Sequence, residues 1–241
     1  MNDPDVVLTD VALAVLGAWF ARRLADSPHP GPLGRADVVL LVALASAAFW
    51  GAVFHAFFPG DTDTLGGFLA WIPVSLSIVV AGAALLELGL RTLLPALNPR
   101  TRRLMVGVYA AVFAAVVLLL DESFASIVRF YVPPLLLFLL AATVRAARES
   151  GGWTLIALGL ALSVLAAVLQ QLEVALHPVY FDHNAVYHAV QAAALVVLYL
   201  GFRRVADSAG ERRIAGVSEQ FAVFRDADVY YLLTQIGRAH V

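Results

Sequence analysis

Residues 38–58 read VVLLVALASAAFWGAVFHAFF, an apolar run that contains no charged side chain and carries one histidine, His55, near its end. A helix needs roughly 20 apolar residues to cross about 30 Å of hydrocarbon. A run of this length and composition therefore predicts a transmembrane helix.

Similar runs lie on both sides of it, and we interpret seven of them as membrane spans. They are Val6–Leu24, Val38–Phe58, Gly67–Leu90, Leu104–Leu120, Ile127–Val144, Trp153–Val174 and Phe181–Phe202. The connections between them are too short to hold a soluble domain. The sequence thus predicts an all-α protein in which residues 1–204 form an integral membrane bundle of seven transmembrane helices.

The composition agrees with this class. Of the 241 residues, 61% are hydrophobic and 14% are charged, whereas ordinary soluble proteins have about 45–50% apolar and about 25% charged residues. This balance excludes a water-soluble enzyme and a nucleic-acid binder with a basic face. We therefore expect membrane lipid, and no nucleic acid, as the partner.

Two residue types are absent, and each absence excludes a chemistry. All 16 basic side chains are arginines, so no lysine can form a Schiff base with retinal or pyridoxal. The chain has no cysteine, which excludes disulfides, a thiol nucleophile and thiolate metal ligands. The remaining chemistry belongs to histidines, carboxylates, hydroxyls and amides.

The arginines lie in alternate connections. The first, third and fifth loops and the C-terminal tail carry them, whereas the N-terminal segment and the second, fourth and sixth loops carry none. Because positively charged loops stay in the cytoplasm, the N-terminus is predicted outside and the C-terminus in the cytoplasm. We expect a multi-pass protein of the inner cell membrane.

The end of the chain is treated separately. Residues 205–235 are expected to be a cytoplasmic tail that is truncated. Residues 236–241, IGRAHV, are typical of a translated sequencing adapter, and such additions are excluded from fold reasoning.

In this topology, polar side chains gather near the outer face of the membrane. Ionisable side chains in membrane spans are costly and usually functional. The candidate site residues are Asp10, His55, Asp61, Asp63, Gln170, Glu173, His183, Asn184, His188 and Gln191.

Helical spacing supports an inward-facing site. Asn184, His188 and Gln191 fall at positions i, i+4 and i+7, which share one helix face. Together with Gln170 and Glu173 of helix six, they predict a polar cup that binds a substrate.

Three imidazoles with an open fourth position commonly hold a catalytic zinc ion. We interpret zinc as the cofactor and His55, His183 and His188 as its ligands. The candidate catalytic carboxylates, as outer-sphere groups or as the general base, are Asp61, Asp63 and Asp10.

The spacing of two of these ligands sets a condition. His183 and His188 are five residues apart, which is about 140° on a regular helix. Both can bind one ion only if His183 precedes the first full turn of the helix.

Two plainer interpretations stay open. The histidines can simply lie in the headgroup layer at the membrane interface. Gln170, Glu173 and Gln191 can form a hydrogen-bonded network that only joins helices six and seven. His177 precedes Pro178 and is expected to be a loop residue rather than a ligand.

The layout resembles a known superfamily. Seven spans, a histidine at the end of helix two, an acidic residue shortly after it and a histidine pair in helix seven resemble the CREST membrane hydrolases, which include alkaline ceramidases and the progestin and adipoQ receptors. The segments 51–55 and 177–191 also look like a bacterial seven-span family of unknown activity.

The resemblance implies a zinc site of three histidines, with an aspartate and a serine close to the ion. Such a site hydrolyses an amide or ester in a lipid. By position, His55 matches the helix-two ligand and His188 the second helix-seven ligand, while Asp61 or Asp63 matches the acidic residue.

This sequence departs from the superfamily at two positions. The superfamily's helix-seven ligands are four residues apart, which here falls on Asn184 and His188, with His183 one position early. One turn before His55, where the superfamily has a serine, stands Gly51.

Three functions follow as hypotheses. The first is a zinc-dependent hydrolase that cuts a lipid amide or ester at the outer membrane face. The alternative is a non-enzymatic binding or sensor protein, in which the polar cup holds a lipid headgroup or a small ligand. The third is a structural partner subunit. Metal content distinguishes the first from the other two.

Overall fold

The computed structural model describes residues 4–27, 31–58, 62–149, 151–177 and 181–238, and for residues 212–238 it describes only the course of the backbone. Its regular elements within these ranges are α1 (Pro4–Ala25), α2 (Ala36–Phe57), α3 (Leu65–Leu93), α4 (Pro99–Leu119), α5 (Phe124–Ala146), α6 (Gly152–Gln171) and α7 (His183–Arg238).

All seven helices are long and apolar enough to cross a membrane, which confirms the predicted all-α, seven-span class. The largest shift at the start of a span is in α4, which begins at Pro99 instead of Leu104. Asn98 caps this helix, because its Oδ1 accepts a hydrogen bond of 2.8 Å from the Arg100 N–H. Arg102 and Arg103 therefore lie on the helix rather than in the loop before it.

The two prolines of α5 do not interrupt it. Pro133 and Pro134 lie inside the helix, where neighbouring helices and small backbone adjustments compensate for a missing N–H within a membrane. The helix begins three residues earlier than predicted, after Ser123, whose side chain accepts a hydrogen bond from the Ser126 N–H.

The end of α7 differs most from the prediction. The seventh span was expected to end at Phe202, but α7 is 56 residues long and runs from His183 to Arg238. No proline follows Phe202, so nothing in the sequence forces the helix to stop there. The part able to cross a membrane is His183–Glu211.

Six of the helices form a closed ring in the order α1, α2, α3, α5, α6 and α7, with α7 packing back against α1. The remaining helix, α4, lies outside this ring against α3 and α5. Only 17% of the most apolar segment of α4 is buried, compared with 56% for that of α7. Its exposed Leu104, Val108 and Val112 therefore form a lipid-facing surface.

Glycines bring α6 and α7 together closely. A Cβ added at Gly159 would lie 2.6 Å from Leu198, and one added at Gly201 would lie 2.8 Å from Ile156. Small residues let membrane helices approach in this way. This contact packs one side of α7 against α6, while the other side of α7 packs against α1.

The two ends of the bundle differ in their side chains. We call the end where α2, α4 and α6 finish the histidine end, because His55 and His177 lie there, and the opposite one the arginine end. At the arginine end, Glu87 Oε1 lies 2.9 Å from Arg102 Nε and 3.3 Å from Arg91 Nε. These side chains form an ion-pair cluster between α3 and α4.

Candidate functional site

A buried acid–imidazole pair joins the first and last helices of the ring at the histidine end. His188 Nε2 lies 3.3 Å from Asp10 Oδ1, and the two side chains are only 11% and 5% exposed. Each residue lies in the second turn of its helix. The contact between α1 and α7 therefore brings them together at the same depth.

The other ring nitrogen of His188 also has a partner. Its Nδ1 lies 3.0 Å from Thr9 Oγ1, and that hydroxyl lies 2.9 Å from the backbone carbonyl oxygens of Asp5 and Val6. A threonine hydroxyl has one proton to donate. If the proton goes to a carbonyl, Thr9 accepts from Nδ1–H, and the lone pair of Nε2 then faces Asp10.

The second oxygen of Asp10 has no such partner. Asp10 Oδ2 is buried and makes no hydrogen bond within the described residues. It lies 3.0 Å from the position that a Cβ would take on Gly51. Because Gly51 has no side chain, it leaves room for this carboxylate.

His55 lies near the pair. It stands one helical turn after Gly51 on α2, and it is close enough to His188 for the charges of the two imidazoles to interact. Its ring also packs edge-on against Phe54, with ring centroids 5.7 Å apart. Three elements of the ring, α1, α2 and α7, therefore contribute ionisable side chains to one region.

The geometry of the pair suits a metal ion in two respects. Two ligands of a tetrahedral zinc ion lie about 3.3–3.5 Å apart, given metal–ligand distances of about 2.0–2.2 Å, and the observed separation is 3.3 Å. A charge-assisted hydrogen bond is shorter, at about 2.7–2.9 Å. The contact of Thr9 with Nδ1 also resembles the second-shell hydrogen bond that orients metal-binding histidines.

The pair supplies two ligands, not a complete site. Within the described ranges, no three His, Asp or Glu side chains are grouped closely enough to hold a metal ion. His55 is the imidazole whose charge interacts with His188, and it would have to move toward the pair to complete a set of three.

His183, predicted as a ligand, is the first residue of α7. The helix is therefore already formed between His183 and His188, and the offset of about 140° applies. Asp182 precedes it and caps the helix, because its Oδ1 accepts a hydrogen bond of 2.9 Å from the Ala185 N–H. His183 thus lies within the first turn of α7, and its part in a metal site stays a prediction.

Two predicted cup residues on α7 make polar contacts. Gln191 is buried, and its Nε2 donates a hydrogen bond of 3.1 Å to Ser163 Oγ on α6. Asn184 Nδ2 lies 3.4 Å from Asp182 Oδ2. The first contact joins α6 and α7, as the plainer interpretation allows for Gln191, but its partner is Ser163 rather than Gln170 or Glu173.

Of the remaining four candidates, the structure describes three. Gln170 accepts a hydrogen bond from its neighbour Gln171. Glu173 is exposed and has φ 53°, the left-handed conformation that ends a helix. Asp63 is exposed, and Asp61 lies outside the described residues.

Sequence reasoning identified Asp10 only as one of three carboxylates and missed Thr9. The signal was present, since a hydroxyl and a carboxyl stand side by side in an otherwise apolar span. What the sequence could not provide was the adjacency of α1 and α7, which decides which carboxylate meets His188.

Comparison with known proteins adds a family. A family model described as "Family of unknown function (DUF6962)" matches residues 6–207, which is most of the 241-residue chain. No curated protein matches the sequence. No solved structure matches it either.

Proposed function

The chain belongs to the DUF6962 family, and we propose that this member is a zinc-dependent hydrolase that cuts an amide or ester bond in a membrane lipid. Its seven spans make it a multi-pass membrane protein, and we assign it to the inner cell membrane with the histidine end outside. The proposal amends the predicted ligand set to His188, Asp10 and His55.

The observation that carries the proposal is the Asp10–His188 pair. A buried carboxylate with an unpartnered oxygen is expensive in a membrane protein and calls for an explanation. A cation bound between the carboxylate and Nε2 of His188 would satisfy both groups. Two imidazoles and one carboxylate form a ligand set of the kind found in catalytic zinc sites.

The chain's own residues have distinct roles in this proposal. Thr9 orients His188 and favours the tautomer with the lone pair on Nε2. Gly51 leaves the space that Asp10 enters, and Gln191 ties α7 to Ser163. When bound, zinc supplies Lewis acidity for attack of water on a carbonyl.

Zinc content tests the proposal directly. We expect about one zinc per chain in the detergent-purified protein, measured by plasma mass spectrometry. His188→Ala and Asp10→Asn should each lose it. His177→Ala is the matched control, because His177 is exposed at the same end and should leave the metal content unchanged.

A further variant distinguishes the two ligand sets. His183→Ala should retain zinc if Asp10 is the third ligand, and should lose it if the three histidines predicted from the sequence bind the ion. Equal zinc in His188→Ala and His177→Ala would contradict both sets.

The reaction class needs its own assay. We expect hydrolysis of at least one member of a panel of fluorogenic lipid amides and esters, with loss on chelation and recovery on adding zinc. A zinc-loaded protein that cleaves none of them would keep the metal site but argue against the hydrolase.

One observation favours the second candidate, a non-enzymatic binding or sensor protein. The part of the chain that the structure describes holds no group of three metal-binding side chains, and both nitrogens of His188 already have protein partners. In that case the polar cup binds a lipid headgroup or a small ligand. Lipid that co-purifies without metal, and depends on His188, would support this candidate.

A further inference from the structure

A cavity of about 400 Å³ lies at the histidine end, between α2, α3 and the loop from α4 to α5. Its lining combines three aromatic residues, Phe54, Trp71 and Phe124, with two acidic ones, Asp121 and Glu122. The lining includes no residue of α1 or α7, so the cavity is distinct from the Asp10–His188 pair. Its volume falls within the range of about 300–1,000 Å³ typical of small-molecule sites.

The aromatic walls are held in place from three elements. The ring centroids of Phe54 and Trp71 lie 5.1 Å apart, and the two ring planes are inclined at 49° to each other. Trp71 Nε1–H donates a hydrogen bond of 2.9 Å to the backbone carbonyl of Glu122, which ties the indole to the loop. Phe124 is the first residue of α5. The Phe54 and Trp71 rings are thus fixed before any ligand arrives, and Phe124 lines the cavity beside them.

The loop supplies negative charge beside these rings. Asp121 accepts hydrogen bonds from the Ser123 N–H and the Ser126 hydroxyl. Hydrogen bonds from Ser123 and Ser126, helped by the positive charge of Arg129, lower the pKa of Asp121 to about 2. Its carboxylate is therefore ionised at neutral pH. Asp121 and Glu122 together supply more negative charge than Arg129 supplies positive charge.

Together these features select a class of ligand. Aromatic faces attract cations, and cages of such rings recognise quaternary ammonium groups, which need no hydrogen-bond acceptor. Adjacent carboxylates add charge attraction and favour a cation over a neutral group of the same shape. Ligands that carry only negative charge are disfavoured by the same carboxylates.

We propose that this cavity is a binding site for a quaternary ammonium group, held by Trp71, Phe54 and Phe124 with Asp121 and Glu122 supplying the negative charge. Such a group can belong to a free cation such as choline or to the headgroup of a choline lipid. The site does not depend on the proposed hydrolase activity or on zinc.

Binding of choline to the full chain tests this site. In a maltoside detergent containing a chelator, we expect saturable binding by calorimetry. 3,3-Dimethyl-1-butanol, the uncharged isostere of choline, should bind at least about tenfold more weakly, because it cannot make the cation–π contact.

Variants connect the binding to the cavity. Trp71→Leu should weaken choline binding at least about tenfold, and Asp121→Asn about threefold or more, while Trp71→Phe keeps an aromatic face and should stay within about threefold of the unaltered chain. Trp19→Leu and Asp26→Asn are the matched controls, since Trp19 lies on α1 and Asp26 is an exposed acid at the arginine end. Both should bind choline as the unaltered chain does.

Nanodiscs of defined lipid composition distinguish the two sources of the ammonium group, a free cation and a choline lipid. If choline lipids occupy the cavity, free choline should bind at least about fivefold more weakly in phosphatidylcholine than in phosphatidylglycerol discs. Equal affinity in both identifies a free cation as the ligand.

The proposal is overturned if choline does not bind saturably, if the uncharged isostere binds equally well, or if folded Trp71→Leu and Asp121→Asn bind choline normally.

Discussion

The two ends of the bundle each hold a carboxylate, Glu87 partly buried and Asp10 buried, and the surroundings of the two groups differ. At the arginine end, Glu87 contacts the permanently charged guanidinium groups of Arg102 and Arg91. At the histidine end, Asp10 contacts one imidazole at 3.3 Å and leaves its second oxygen without a hydrogen bond among the described residues.

The difference separates a structural group from a candidate functional one. A carboxylate paired with guanidinium groups is compensated in the folded protein and needs nothing more. A carboxylate beside an imidazole can take up a cation, because both groups are metal ligands. The arginine end is therefore expected to contribute to stability and the histidine end to function.

Replacing each carboxylate with a neutral side chain should give the largest difference between the two ends, measured as the loss in free energy of unfolding. Glu87→Gln leaves the mostly buried Arg102 without its counter-charge, and we expect a loss of about 2–3 kcal/mol in the free energy of unfolding, reduced from the fully buried case because the pair is partly exposed. Asp10→Asn should change stability by less than about 1 kcal/mol, because the amide occupies the same space.

Thermal unfolding in detergent measures both variants, with zinc removed. A larger loss of stability in Asp10→Asn than in Glu87→Gln would reverse the assignment of roles to the two ends.

Removing the hydroxyl that orients His188 should have a smaller effect. Thr9→Val keeps the shape of the side chain but loses the contact with Nδ1. We expect zinc affinity to fall about 10–100-fold, the usual effect of losing a second-shell partner. Competition with a zinc-selective dye measures it, and Thr9→Ser, which keeps the hydroxyl, is the control. Unchanged affinity in Thr9→Val would remove Thr9 from the site.

Filling the space at Gly51 tests how tightly Asp10 is held. Gly51→Ala places a methyl group about 3.0 Å from Asp10 Oδ2, and we expect a loss of about 1–2 kcal/mol from overpacking. Gly51→Ser should lose less, because its hydroxyl can donate to the unpartnered oxygen.

The matched control for this series is Gly107→Ala on α4. A Cβ there meets nothing within 4 Å, so the substitution should leave stability unchanged or raise it by up to about 1 kcal/mol through helix propensity. If Gly51→Ala behaves like Gly107→Ala in thermal unfolding, the carboxylate is not confined at Gly51.

The smallest expected effect concerns pH at the cavity. The pKa of Asp121 is lowered from 3.8 to about 2, so its hydrogen bonds stabilise the folded state above about pH 4, and this contribution is lost as the pH falls through 2. Choline affinity should therefore change less than about twofold between pH 5 and pH 8. A steep loss in that interval, seen by calorimetry, would show that another group controls the site.

The sequence was sufficient for the fold and only partly sufficient for the site. Long apolar runs set the seven spans because a membrane demands about 20 apolar residues from each. Helix ends were less predictable, since they depend on caps such as Asn98 and on the absence of a stop after Phe202. His188 could be identified as a site residue from the sequence, because it lies in an apolar span.

The partner of His188 was not predictable from the sequence. Asp10, Asp61 and Asp63 were all candidates, with Asp61 or Asp63 favoured by the resemblance, until the contact between α1 and α7 brought Asp10 to the imidazole. The cavity was equally hidden, because Phe54, Trp71 and Phe124 belong to three helices. Their shared surface exists only after the ring has formed.

Closure of the ring by α1 and α7 also has a consequence for biogenesis. Asp10 leaves the ribosome 178 residues before its partner His188. Until α7 enters the bilayer, Asp10 lacks the imidazole that contacts it in the folded chain, and membranes tolerate such an acidic group poorly. A chain interrupted before α7 would keep that group exposed and be a natural target for membrane proteases, so the same contact that forms the site also reports that α7 has joined the bundle.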